Sequence, residues 1–295
     1  MIQLAILMTS HNRKVKTLSC LENIYSQESI TGIHFGIYLV DANSTDGTAE
    51  AVNSEYPDVN LIKGSGDLFW AGGMRLAWRE VINSNKNFDY YLLLNDDTLL
   101  LADALKNLFA DFNFLKEEKC IFIGSTKDRV TGEFSYGGRL LKNSYNSNAE
   151  IVKPNGSSPQ LCHLGNANIM LVPKLVVDSI GILSDDYTHG IADYDYTLKA
   201  KKAGIPSYIC SYYCGYCADD HGVNWKSADH SLRERIQYLY SHKGLSYKEY
   251  LVYIKKFFPF YLPQAWLLLW TKTFFPFLWE SRKKKLQVHR LDIGL

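Results

Sequence analysis

The chain has almost no net charge: 32 Lys and Arg against 31 Asp and Glu leave +1 over 295 residues. No overall field exists to draw in nucleic acid or repel a membrane, so any such role must come from local charge. There is no internal repeat and no low-complexity segment, which excludes solenoids and disordered arrays. Met1 to Met8 is too short and too lightly charged at its start for a signal peptide, and Thr9-Ser10-His11-Asn12 then turns polar. A cytosolic protein is expected, and its six cysteines are then not a disulfide framework but thiols or ligands. At this length one full α/β domain with a smaller appendage is expected, rather than a string of modules. Aromatics are the excess: 14% of residues, with 20 Tyr and 6 Trp, many in the last third.

Short apolar runs that stop at polar clusters recur at Leu4 to Met8, Phe35 to Val40, Val59 to Ile62 and Tyr90 to Leu94. Helical patterns follow at Lys14 to Gln27, Thr45 to Ser54, Gly72 to Ile82 and Leu101 to Phe114. This alternation predicts βαβ units, a mostly parallel sheet flanked by helices, and ligands at the carboxyl ends of its strands. Thr131 to Gln160, rich in Gly, Asn and Ser, reads as irregular hairpins. A strand at Asn168 to Val172 and helices near Lys174 to Ile180 and Asp193 to Ala203 come next, and beyond Asp229 only helices.

The polar clusters carry chemistry. At the first two tips, Thr9 to Arg13 and Asp41 to Thr48 offer hydroxyls, amides and a carboxylate suited to a nucleoside, with Arg13 able to face phosphate. Asp41 to Gly47 is equally a turn with a helix cap at Ser44. At the fourth tip an apolar run ends in Asn95-Asp96-Asp97. Neighbouring carboxylates repel unless a cation sits by them, and hard oxygens suit Mg²⁺ or Mn²⁺ on a diphosphate. The alternative is a cap for the helix expected from Leu101.

Together these three clusters resemble the family-2 glycosyltransferases, particularly a bacterial rhamnosyltransferase-like branch, over roughly residues 1–225. The resemblance implies a GT-A fold with a Rossmann-like nucleotide half (1–100), an acceptor half (101–225) and a helical aromatic and basic extension (226–295). It implies inverting transfer from a UDP- or dTDP-sugar, in cell-surface polysaccharide synthesis. Donor binding would fall to Thr9, His11, Asn12, Arg13, Asp41, Asn43, Ser44, Asp67, Trp70, Gly72, Gly73 and Asp96. Met74 stands where the branch has Asn. The metal motif Asp-any-Asp reads Asn95-Asp96-Asp97 here, which implies Asp97 as the main ligand of Mg²⁺ or Mn²⁺, with Asn95 as a neutral one. Gly190 to Gly204 is similar to the segment carrying the general base. This places the base at Asp193, with Asp195 a second acid and Ala192 in place of the usual Glu. His221 stands where some relatives place a metal-binding His.

Two rival readings compete with this one. A nucleotidyltransferase would want a glycine-rich basic loop after the first strand, and Thr9 to Arg13 is not one. Cys210, Cys214 and Cys217 followed by His221 have spacing for zinc or an iron–sulfur cluster, yet they sit in a strand-like alternation, which favours buried thiols. A catalytically silent scaffold on the same fold is the remaining alternative. In the tail, Phe257 to Trp279 is aromatic but broken by Pro259, Pro263, Pro276, Gln264 and Lys272, with Lys255-Lys256 and Arg282 to Lys285 at its ends. Such a segment suits a membrane surface rather than a span. Packing on the catalytic domain or on a second copy in a homodimer is the alternative. The acceptor expected is a saccharide, free or polyprenyl-linked; nucleic acid is not expected.

Overall fold

The alternation in the sequence is met strand by strand. The computed structural model describes residues 1–28, 32–84, 86–219, 229–242 and 244–278. β1 (Ile2–Ser10) lies parallel between β2 (Ile33–Asp41) and β4 (Tyr90–Leu94), and β3 (Asn60–Lys63) extends the sheet beyond β2. The crossovers are α1 (Lys14–Tyr25), α2 (Thr48–Glu55) and α3 (Phe69–Asn83). Along β1, Leu4, Ile6 and Met8 enter one core with α1 and α2, while Ala5 and Leu7 enter a second core with α3. Period-two alternation with apolar residues on both faces is what a sheet covered by helices on both sides demands.

After β4 the sheet becomes mixed. β5 (Leu99–Leu100), α4 (Ala104–Leu115), β6 (Ile121–Lys127), β7 (Gly138–Leu141), β8 (Ala149–Val152), β9 (Gln160–Cys162), β10 (Leu164–Gly165) and β11 (Ile169–Pro173) come first. They are followed by α5 (Lys174–Ile180), α6 (Ala192–Lys202) and β12 (Ser207–Tyr216). The order is β3-β2-β1-β4-β11-β6-β12-β5 with β9 on β12, and a small separate sheet runs β10-β7-β8. β11 is antiparallel to both β4 and β6. Its first residue Ile169 faces Leu94, the last of β4, so the chain entering β11 arrives at the carboxyl tip of β4.

Two expectations shift. The helix expected from Leu101 begins at Ala104, because Leu99 and Leu100 pair instead with Tyr216 and Gly215 of β12. Gly215 permits this, since a Cβ there would stand 2.6 Å from the Leu99 carbonyl oxygen. α2 begins at Thr48, later than expected, where Asp46 accepts from both the backbone and the hydroxyl of Thr48. Ser44 therefore caps no helix: its hydroxyl accepts from the Asn12 backbone N–H at 2.9 Å.

Residues 1–142 with 148–219 form one compact unit, and 143–147 with 220–295 a second. In the second unit α7 (Leu232–Tyr240) starts with a reciprocal capping box between Ser231 and Glu234. α8 (Tyr247–Phe257), a single 3₁₀ turn at Pro259–Tyr261 and α9 (Leu262–Phe274) follow. Leu239 and Leu269 centre their small core, and the Trp270 indole donates to the Tyr247 hydroxyl at 3.1 Å. Phe260, Trp266, Leu267, Phe275 and Phe277 stay exposed. Among the described residues no helix is long and apolar enough to cross a membrane.

Candidate functional site

Parallel register sets Ser10 beside Asp41, so the two polar clusters beyond those residues meet. His11 Nδ1 lies 2.7 Å from the Ala42 carbonyl oxygen, and Asn12, in the left-handed region at φ 52°, accepts from the Thr45 N–H at 2.8 Å. His11, Asn12 and Ser44 thus stitch the two loops into one rim. Asp41 is buried; its Oδ2 accepts from the Ser44 N–H at 3.1 Å, and its Oδ1 has no hydrogen-bond partner among the described residues. A buried carboxylate oxygen without a donor is expensive, and a nucleoside N–H or ribose hydroxyl would satisfy it. Asn43 and Asp67 are exposed at the same rim, and the Ser65 hydroxyl holds the Asp67 carboxyl below the usual range.

Thr9 fixes the approach of α3. A Cβ on Gly73 would come within 2.1 Å of Thr9 Oγ1, so only glycine lets the helix pack this closely, whereas a Cβ on Gly72 would stay 3.3 Å from its nearest neighbour. Met74 is fully buried in the core beside Trp78. One turn earlier, the Trp70 indole donates to Asn95 Oδ1 at 2.7 Å, which ties the start of α3 to the tip of β4.

At that tip the acids meet cations. Arg13 donates to Asp96 Oδ1 at 3.1 Å and to Asp97 Oδ2 at 2.7 Å, and Lys16 Nζ stands 3.7 Å from Asp97 Oδ2. Burial pushes Asp96 up against the pull of Arg13, and the Thr17 hydroxyl donates to its second oxygen. Neither acid caps a helix; Asp103 occupies the N-cap position of α4. Cys217 Sγ lies 3.7 Å from Asp97 Oδ1 and takes a hydrogen bond from Asn168 Nδ2 at 3.3 Å. Among the described residues no group of three His, Cys, Asp or Glu side chains is assembled to cage a metal, and His221 lies outside the described residues. With the Asn95 oxygen engaged by Trp70, the donor set among the described residues is the carboxylate of Asp97. That fits a Mg²⁺ or Mn²⁺ carried in on a diphosphate, since such ions are held by one or two carboxylates plus substrate phosphates.

A further cluster, around Asp193, reaches this tip through β11. The Asn95 N–H donates to the Asn168 carbonyl at 3.2 Å. Two residues back, Asn166 Nδ2 donates to Asp193 Oδ2 at 3.2 Å, and the Ala167 N–H donates to the same oxygen at 3.3 Å. Burial pushes the Asp193 carboxyl up, opposed by these N–H donors. Asp195, two residues on, is fully buried and accepts from the Tyr187 hydroxyl at 2.9 Å. Ala192 is packed inside. The loop before α6 is pinned to α3: Arg75 donates to the carbonyls of Ser184 and Tyr187 at 2.8 and 2.7 Å, and the Ala71 N–H to Thr188 O at 3.0 Å.

Sequence reasoning passed over Lys16, Thr17, Asn166, Asn168 and Tyr187. Asn166 and Asn168 had a usable signal, polar residues directly before a buried apolar strand. All six cysteines are free and buried, and Cys210 and Cys214 pack together in the core.

The model of the family described as glycosyl transferase family 2 matches residues 5–163, which takes in the first three clusters and stops short of Asp193. No curated protein matches the chain. Among solved structures the chain is similar to S. aureus TarS 1-349 in complex with UDP-GlcNAc, at 15% identity and TM-score 0.52, over 80% of this chain and 64% of that one. TarS 1-349 in complex with UDP aligns at 13% identity and TM-score 0.54, over 84% and 68%. Against longer S. aureus TarS the values are 13% and 0.54, over 88% of this chain and 43% of that one. At such identities the likeness is one of fold, and this chain spans less than two thirds of the TarS chains in the first and last of these alignments.

Proposed function

Because the chain belongs to glycosyl transferase family 2, we propose that it moves a sugar from a UDP- or dTDP-sugar to an acceptor hydroxyl, inverting the anomeric carbon. The observation that carries this is the hydrogen-bonded path from Asp193 through Asn166, Ala167 and Asn168 to Asn95. It links a part-buried carboxylate to an acid tip charged for a diphosphate. The UDP-GlcNAc and UDP of the TarS complexes support a nucleotide-sugar donor.

In this mechanism Asp41 and the rim of Thr9, His11, Asn12, Asn43 and Ser44 hold the nucleoside, with Asp67, Trp70, Gly72 and Gly73 bordering the sugar. Arg13 and Lys16 turn from Asp96 and Asp97 toward the diphosphate. Asp97 would hold Mg²⁺ or Mn²⁺, joined by His221, with the Asn95 oxygen given instead to Trp70, and the ion would neutralise charge on the departing diphosphate. Asp193 Oδ takes the proton of the acceptor hydroxyl as that oxygen attacks the anomeric carbon; a carboxyl raised by burial is better suited to hold it. Asp195 acts as a positioning residue through Tyr187.

The acceptor is proposed to be a saccharide on a polyprenyl carrier, made for the cell surface and met at the inner face of the membrane. The exposed aromatics Phe260, Trp266, Phe275 and Phe277 of the second unit, with Lys255 and Lys256, support peripheral contact there. Thermal shift of the whole chain with a panel of nucleotide sugars, with and without Mn²⁺, tests the donor, because a bound ligand raises stability by mass action. One UDP- or dTDP-sugar is expected to raise the melting temperature and to release its nucleotide when acceptor is added. A folded chain that responds to no donor would overturn the proposal.

A further inference from the structure

β7 brings a further cation to the neighbourhood of Asp193. Arg139 is paired with Leu164 across the small sheet, and its carbonyl accepts from the His163 N–H at 2.8 Å. Two residues before it, the Gly137 carbonyl accepts from the Asn166 N–H at 3.0 Å, and Asn166 is the residue whose amide holds Asp193. The Arg139 guanidinium and the Asn166 side chain both bear on the hydroxyl of Tyr194, the next residue after Asp193. Arg139 is thus placed across one tyrosine from the proposed base.

Arg139 takes part in no ion pair among the described residues, and the acid on the neighbouring strand, Glu150, faces Lys142 at 3.7 Å. Lys201 adds a second positive charge, which with burial holds the His163 imidazole below its ordinary value. The contrast with the donor side is direct: there Arg13 has two carboxylates, here Arg139 has a phenol. A half-buried guanidinium held by a neutral group keeps its planar fork of donors available, the geometry that matches phosphate and carboxylate.

We propose that Arg139, oriented by Tyr194, anchors the acceptor, and that the acceptor is a saccharide bearing an oxyanion close to the hydroxyl it presents to Asp193. This rests on the glycosyl-transfer proposal above. The test uses the whole chain, saturated with Mn²⁺ and whichever nucleoside diphosphate raises its melting temperature most. Glucose 1-phosphate, glucuronate and glucose are then titrated calorimetrically. One of the two anionic sugars is expected to bind at least about tenfold more tightly than glucose, the size of one charge-assisted contact. The better of the two tells phosphate from carboxylate. Arg139→Gln should lose that preference with nucleotide affinity unchanged, Arg139→Lys should keep part of it, and Tyr194→Phe should weaken it less than Arg139→Gln. Retained nucleotide binding reports that each variant is folded. Anionic sugars that bind Arg139→Gln or Arg139→Lys as tightly as the wild type, or that bind the wild type no better than glucose, would overturn the inference. Failure of every nucleotide to shift the wild-type melting temperature would instead overturn the donor proposal.

Discussion

The two acidic regions of the cleft are built on opposite electrostatic plans. At the tip of β4, Asp96 and Asp97 face Arg13 and Lys16, two carboxylates against two cations. At the start of α6, the Asp193 carboxylate accepts hydrogen bonds from uncharged N–H donors of Asn166, Ala167 and Tyr194. The first arrangement holds charge ready to be exchanged for a diphosphate and its metal. The second leaves one carboxylate in a part-buried, amide-lined place where burial raises its proton affinity. In the proposed mechanism one residue type would serve as electrostatic clamp in one place and as base in the other, set by surroundings alone.

The largest effect is expected from Asp193→Asn. Transfer should fall by about 10²- to 10⁴-fold, the range of a positioned general base, with donor affinity unchanged in calorimetry. The same variant sharpens the comparison through stability. Because the carboxyl is raised in the fold, the native state binds its proton more readily than the unfolded chain. Asp193 therefore lowers stability above its folded-state pKa, and that penalty fades as pH falls through it. Asp193→Asn should melt no lower than wild type at neutral pH and lose this pH dependence.

Asp97→Ala should cost roughly 10- to 100-fold in donor affinity, as expected on losing a charge-assisted contact, and should abolish the difference between titrations with and without Mn²⁺. If Asp97→Ala keeps that difference, the metal lies elsewhere. Gly73→Ala tests the packing beneath the donor rim. A Cβ 2.1 Å from Thr9 Oγ1 should lower unfolding free energy by about 1–3 kcal/mol in denaturant titrations, as overpacking does, while Gly72→Ala should change it far less. The smallest effect belongs to Asn166→Ala. Removing a donor to the ionised carboxylate should move the acid limb of the transfer rate, already above the ordinary Asp range, to still higher pH. An acid limb at the same pH in both proteins would mean that Asn166 does not tune the base.

The same contrast governs what was legible in the sequence. The donor side is local: each strand tip carries its polar residues in one contiguous run, and parallel pairing of β1 with β2 and β4 sets the runs side by side. Periodicity therefore gave the strands, the helices and the acids together. The acceptor side is assembled by non-local pairing. Asn166 and Asn168 matter because β11 runs antiparallel to β4, and β5 exists because Gly215 lets Leu99 approach. No window of sequence contains both partners, so Leu99 to Leu101 read as the run into a helix. Arg13 was legible as a phosphate contact, but its bridge to both acids depends on the turn after β1, with Asn12 in the left-handed region.

The central claim is a single displacement at the anomeric carbon, with Asp193 taking the acceptor's proton. Proton NMR of the first glycoside formed from the donor selected by thermal shift tests it most directly, since a glycosidic bond once made does not scramble. The expected product has the anomeric configuration opposite to that of the sugar in the donor, formed about 10²- to 10⁴-fold more slowly by Asp193→Asn at matched donor occupancy. A product that retains the donor's configuration, or equal product from Asp193→Asn, would contradict it.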